Sequence, residues 1–152
     1  MTRSIRSRFS KRSLQALRKV LRFNDQGLIP TVIQDAKTKR VLTLCYLNEA
    51  ALAKSLATGT VYLFRRSQNR LMQKGETSGH IQIIQQVAVD CEGKSLVFLV
   101  QQRVAGCHAG YFSCYFRKLS KRGTLTITNR KVFDPDRVYR SELPSLRKHK
   151  VT

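Results

Sequence analysis

Residues 80–101 read His80-Ile81-Gln82-Ile83-Ile84-Gln85-Gln86-Val87-Ala88-Val89-Asp90-Cys91-Glu92-Gly93-Lys94-Ser95-Leu96-Val97-Phe98-Leu99-Val100-Gln101. His80 to Val89 alternates closely enough between apolar and polar positions to predict a strand. Glu92-Gly93-Lys94 predicts a tight turn, and the apolar run from Ser95 to Gln101 predicts a second strand. Outward from this unit the same chemistry recurs. Thr31–Asp35, Arg40–Leu47, Thr60–Arg65, Tyr111–Arg117 and Thr124–Thr128 are further expected strands, separated by turn-forming residues such as Lys37-Thr38-Lys39. Ser10 caps an expected helix from Lys11 to about Phe23, with Leu14, Leu17, Val20 and Leu21 on one face. Asn48 caps a shorter one over Glu49–Ala57, closed near Gly59. The class is therefore mainly β with two or three helices, an α+β fold. Ser67–Gly79 reads as a polar loop, and Asp134-Pro135-Asp136 as a turn before a basic tail.

The chain has 152 residues, enough for one domain with an ordinary core. Its net charge of +20 is concentrated at the ends. Residues 1–24 hold eight Lys/Arg and no acid, residues 117–152 eleven against three, and residues 25–116 only ten against six. The nearly neutral middle with basic ends reads as a catalytic or binding domain with basic extensions, and the chain is divided into a basic, helical extension over 1–24, a domain over 25–139, and a basic tail over 140–152. Such ends favour polyanions, so non-specific contact with nucleic acid is one expectation and a merely solubilising surface another. The first helix can lie on the domain or serve as a basic amphipathic targeting or membrane-surface helix; the sequence leaves both open, as it does removal of residues 1–24. No stretch is long and apolar enough to span a membrane and no secretory signal is recognisable, which points to the cytoplasm.

Four cysteines occur. Cys45 sits in the apolar run from Val41 to Leu47 and is read as a core residue. Cys91, Cys107 and Cys114 lie near acids and His108. Thiolates are soft, charged ligands well matched to zinc, and three of them would leave the fourth position of a tetrahedral ion free for a reacting water. Buried inert thiols are the competing interpretation. None of the pairs is C-x-x-C, so zinc ribbons, fingers and thioredoxin-like redox sites match poorly, and the deaminase signature is absent. His108, beside Cys107, can be a ligand, a general base or a surface residue. Lys74-Gly75-Glu76-Thr77-Ser78-Gly79-His80 combines a cation, a carboxylate, hydroxyls and flexible backbone suited to phosphate and sugar, although a solvated charged turn has the same composition.

Taken together, Gly27-Leu28-Ile29-Pro30, Tyr46-Leu47-Asn48-Glu49, Arg66-Ser67, Lys74–His80 with Gln82, Asp90-Cys91, Cys107-His108, Gly110, Ser113-Cys114 and Val132-Phe133-Asp134-Pro135 resemble the phosphoribosyl-AMP cyclohydrolases. The likeness runs from about residue 23 to 139, in order and without large gaps. It implies a compact sheet domain in an intertwined homodimer and hydrolysis of the N1–C6 bond of a phosphorylated purine nucleotide in histidine biosynthesis. It further implies zinc held by Cys91 of one subunit and Cys107 and Cys114 of the other. His108, Glu76 and Lys74 become the expected catalytic residues, and Arg66, Ser67, Lys74, Thr77, Ser78 and His80 the expected substrate-binding ones. The family's magnesium motif falls on Asp90 and Glu92, but Lys94 replaces its third carboxylate. Arg65-Arg66-Ser67-Gln68 stands where the family has Ser-Arg-Ser-Arg, and Met72 where it has Trp. A zinc protein without catalysis, binding nucleic acid through its basic ends, is the alternative.

Overall fold

The computed structural model describes residues 8–139; the basic tail 140–152 and residues 1–7 lie outside the described residues. Its centre is a four-stranded sheet in the order β2-β1-β6-β5, built from β1 (Ile29–Asp35), β2 (Val41–Leu47), β5 (Gln82–Val89) and β6 (Leu96–Gln102). β1 runs antiparallel to β2 and parallel to β6, while β5 and β6 form the hairpin around the 90–94 turn. Strict alternation of burial along β1 shows why this sequence stays in register: Ile29, Thr31, Ile33 and Asp35 face inward. A one-residue slip would turn all four outward. Phe98, Ile33, Leu42, Leu47 and Ile84 are fully buried together, and Leu52 and Leu56 of α2 (Glu49–Thr58) cover them. Asn48 caps α2 by accepting from the Ala51 N–H at 2.8 Å, and Gly59 ends it in the left-handed conformation.

The first helix, α1 (Lys11–Val20), is laid on the domain. Phe9, Leu14, Leu17, Leu21 and Phe23 pack against the core, the Phe9 N–H donates to the Leu56 carbonyl, and Arg18 pairs with Glu49. Its end is fastened to the 90–94 turn, because the Arg22 N–H donates to the Gly93 carbonyl at 2.7 Å. A Cβ on Gly93 would come within 2.0 Å of the Val20 carbonyl oxygen, so only glycine permits this approach.

Three expectations are corrected. The polar loop 67–79 contains a strand, β4 (Arg70–Gln73), which pairs with β3 (Tyr62–Arg65) across a 3₁₀ turn at Arg66–Gln68. Asn69, at φ 45°, supplies the reversal that polar composition disguised as an open loop. The expected strand Tyr111–Arg117 is irregular instead. Cys114 N–H donates to the Leu42 carbonyl and Ser113 Oγ to the Val41 carbonyl, while Tyr111 stacks on Phe116 at 3.8 Å. Regular pairing begins only at β7 (Arg117–Leu119), which meets β8 (Leu125–Ile127). The Asp134-Pro135-Asp136 turn continues into a short helix, α3 (Pro135–Val138), whose cap is the Asp134 side chain accepting from Asp136 N–H.

Candidate functional site

A cleft of about 1280 Å³ opens between β2, the β3–β4 hairpin, the 74–80 segment, the loop after β6 and α3. Of the residues singled out from sequence, Arg66, Ser67, Lys74, Glu76, Thr77, Ser78, His80, Cys107 and His108 all line it. Each is placed by a local device. The Lys74 N–H donates to the Val61 carbonyl at 2.9 Å, and the Gly79 N–H reaches back to the Gly75 carbonyl at 2.8 Å, closing the 74–79 segment on itself. Gly75 has φ +87°, and a Cβ there would lie 2.5 Å from the His80 carbonyl group, so the loop closes only around glycine.

Glu76 is gripped by Arg70, and its second oxygen accepts from the Gln73 N–H at 3.3 Å. The Arg70 hydrogen bond holds its carboxyl below the usual carboxylate range, with other charge and backbone contributions following. At neutral pH Glu76 is therefore an anion, suited to accept a proton or orient a donor rather than to act as an acid. His80 sits edge-on to Phe133 at 4.7 Å, and its pKa is lowered by burial first and by the Lys74 ammonium second, which keeps the imidazole neutral at pH 7.

The seven-residue spacing of Cys107 and Cys114 is folded into a tight reversal. Gly106 N–H donates to the Phe112 carbonyl and Cys107 N–H to the Tyr111 carbonyl, turning the chain back so that the two thiols interact. Beneath them an amide relay runs from Gln82 Nε2 to Gln102 Oε1 at 2.7 Å and from Gln102 Nε2 to the Phe112 carbonyl at 2.8 Å. This ties the reversal to the central sheet. Cys107 is buried, and burial is the main reason the Cys114 thiol is pushed up, with the Cys107 neighbour adding to it against a Thr43 hydrogen bond. Two thiols side by side are soft donors of the kind that could hold a metal ion such as zinc. Cys45 belongs to the core as expected: burial raises its thiol to about 12.

Cys91 is elsewhere. It is exposed in the turn after β5, beside a second hollow formed with Lys19–Arg22 at the end of α1. Among the described residues no three His, Cys, Asp or Glu side chains of one chain gather closely enough to hold a metal ion. Asp90 and Glu92 share this turn. Asp90 Oδ1 accepts from the Lys94 N–H at 2.8 Å and the Glu92 N–H at 3.2 Å, and Oδ2 from Ser95 Oγ at 2.8 Å. Those hydrogen bonds, Ser95 first, lower the Asp90 pKa. Glu92 is paired with Lys94 Nζ at 2.8 Å. Magnesium is held through carboxylate oxygens, and here Asp90 is engaged by the turn's own donors and Glu92 by the Lys94 ammonium. These residues do not fit magnesium.

Sequence reading gave no site role to Arg65, Tyr46, Arg70 or Tyr139. Arg65, Tyr46 and Tyr139 line the cleft, and Arg70 fixes Glu76. The only available signal was the basic cluster Arg65-Arg66 ahead of Arg70; the return of residues 132–139 depends on long-range contacts, such as the Val132 N–H donating to the Gly110 carbonyl at 2.7 Å.

Comparison with known proteins converges on one family. The family model described as phosphoribosyl-AMP cyclohydrolase matches residues 43–116. A phosphoribosyl-AMP cyclohydrolase of Pelotomaculum thermopropionicum is 43% identical over 119 residues, covering 78% of this chain and 92% of that protein. One from Granulibacter bethesdensis is 43% identical over 122 residues, covering 80% and 95%. The histidine biosynthesis bifunctional protein HisIE of Thermoanaerobacter pseudethanolicus is 45% identical over 129 residues; these are 85% of this chain but 59% of that longer protein. With the cleft-lining loop and both paired cysteines inside the matched span, the chain belongs to the phosphoribosyl-AMP cyclohydrolase family.

Proposed function

We propose that this protein opens the N1–C6 bond of the adenine ring of phosphoribosyl-AMP, the step in histidine biosynthesis for which its relatives are named. The observation that carries this reading is the convergence in one cleft of the 74–80 segment and Cys107-His108, which lie about thirty residues apart in sequence. Ribosylation at N1 makes C6 of the purine electrophilic, so a positioned water and a proton carrier are the main chemical requirements. His108 is the proton carrier at the cleft wall. Glu76, kept anionic by Arg70, orients or accepts; Lys74 and Arg66 hold phosphate, and Ser67, Thr77 and Ser78 supply hydroxyls to ribose and phosphate.

Zinc would be held by Cys107 and Cys114 with Cys91 of a second copy, and when bound it supplies a Lewis acid that makes water nucleophilic near neutral pH. Two features support a homodimer. Cys91 lies in a different hollow from Cys107, so one chain presents its thiols in two separate places. The β7–β8 hairpin also carries Leu119, Leu125 and Ile127 on one face at 69%, 62% and 61% exposure. A two-stranded hairpin with such a face is marginal in water unless something covers it. Magnesium has no part in this reading. The test is a spectrophotometric ring-opening assay with zinc analysis: turnover that vanishes in Cys107→Ser supports the reading. Absence of stoichiometric zinc, or retention of nucleic acid in place of turnover, refutes it.

A further inference from the structure

The cations around the cleft are not equivalent. Four ion pairs occur among the described residues, and they engage Arg18, Arg70, Lys94 and Arg137. Arg65 and Arg66, both lining the cleft, are in none of them. Arg66 lies over the Tyr46 ring at 4.2 Å, toward β2. Arg65 Nη1 lies 4.0 Å from Met72 Sδ, toward β4. A thioether is a weak acceptor and an aromatic face accepts no conventional hydrogen bond, so each guanidinium is leaned against a neighbouring strand with its donors unspent.

The register makes Arg65 a costly residue for the fold alone. It stands directly opposite Arg70 in the β3–β4 pair, and like charges facing across strands are destabilising. Glu76 binds Arg70 and feels Arg65 only through space, so a single carboxylate faces two guanidiniums and leaves a net positive charge. A second positive charge left in that place is explained by an anionic ligand. Planar guanidinium groups bind phosphate oxygens in a bidentate manner, and two of them on different walls match a ligand with two separated phosphoryl groups.

We infer that Arg65 is a second phosphate-binding residue of the cleft, holding one phosphoryl group of a bis-phosphorylated nucleotide while Arg66 holds the other. This rests on the functional reading above, since phosphoribosyl-AMP carries a phosphoryl group on each of its two riboses. It also accounts for the Arg65-Arg66-Ser67-Gln68 departure: the guanidinium missing at Gln68, which does not line the cleft, is present instead at Arg65.

The test compares Arg65→Gln and Arg66→Gln with Arg122→Gln, an exposed arginine outside the cleft that controls for net charge. Arg65→Gln raises KM for phosphoribosyl-AMP about tenfold or more, as loss of a charge-assisted hydrogen bond does, with kcat within about twofold. Calorimetry with adenosine 3′,5′-bisphosphate shows a comparable loss of affinity in both cleft variants. Arg66→Gln and Arg122→Gln keep the parent's melting temperature, and Arg65→Gln does not fall below it, because that substitution removes a like charge facing Arg70. Unchanged KM and affinity in Arg65→Gln, or changes no larger than in Arg122→Gln, overturn the inference. If the parent binds the bisphosphate through Arg65 yet fails to open phosphoribosyl-AMP, the functional reading falls and the anion site stands.

Discussion

A zinc site divided between two copies of the chain makes a quantitative prediction about mixed subunits. Take Cys91→Ser and Cys107→Ser, each inactive alone because every site in its homodimer lacks one thiolate. Within one chain Cys91 is exposed in the turn after β5 and Cys107 is buried at the cleft, so neither substitution disturbs the other cysteine of its own chain. Co-refolding equal amounts with random pairing gives about half heterodimers, and each contains one site with both defects and one with none. The mixture should therefore recover about a quarter of the parent's ring-opening activity per chain, and about a quarter of its zinc. Each single variant alone should stay about a hundredfold or more below the unsubstituted protein, since even outer partners of metal ligands cost up to that much. Activity is followed by ultraviolet absorbance and zinc by elemental analysis on the same samples. A mixture no more active than its components refutes the divided site. So does full activity in Cys91→Ser alone.

Other outcomes follow from single contacts. Millimolar magnesium should leave the melting temperature of the protein unmoved, whereas Lys94→Asp should gain a magnesium-dependent rise; the Lys94–Glu92 pair is exposed, so its loss costs under about 1 kcal/mol and does not obscure the result. A variant without magnesium response would count against Lys94 as the fixed cation of that turn. Because Arg70 depresses the Glu76 pKa, the stability from that contact is present at neutral pH and disappears as pH falls through the lowered value. Arg70→Gln should accordingly move the acidic limb of the kcat/KM profile to higher pH, and an unshifted limb would show that Glu76 does not govern it. Gly93→Ala must accept a left-handed backbone, about 1–2 kcal/mol, and a Cβ against the Val20 carbonyl. Urea unfolding should show a loss of about 2 kcal/mol or more, with α1 cut more readily by protease; an unaltered midpoint contradicts the clasp between α1 and the turn.

The parts of this molecule legible in sequence are those whose signal is periodic or punctuated. Strands at 31–35, 41–47, 82–89 and 96–101 announce themselves by alternation and apolar runs, and α2 by Asn48 and Gly59 at its two ends. The amphipathic stripe of α1 likewise marked Leu14, Leu17 and Leu21 as its packed face, although Val20, expected beside them, is exposed at the helix end. What failed was the stretch Tyr111–Arg117, where aromatic residues carry strand propensity. There the backbone donors of the chain go to Leu42 and the reversal around Gly110, so the aromatic rings stack instead of alternating. Propensity is a local quantity, and it was overruled by partners seventy residues away.

The same distinction decides what can be read of the site. Residue types show which chemistry is affordable: three thiols, a histidine, a carboxylate and several cations near glycines. They do not show which charge remains after neighbours have claimed theirs. Glu76 was legible as an acid or a base, but only the guanidinium of Arg70 makes it an anion. Asp90 and Glu92 were legible as metal ligands, but the turn uses Asp90 as its own cap and Lys94 neutralises Glu92. Arg65 was legible only as a departure from the family's pattern, and the register then set it opposite Arg70, which Glu76 binds. In each case function depends on the charge left over once internal pairs are made, and a strand register is what determines those pairs.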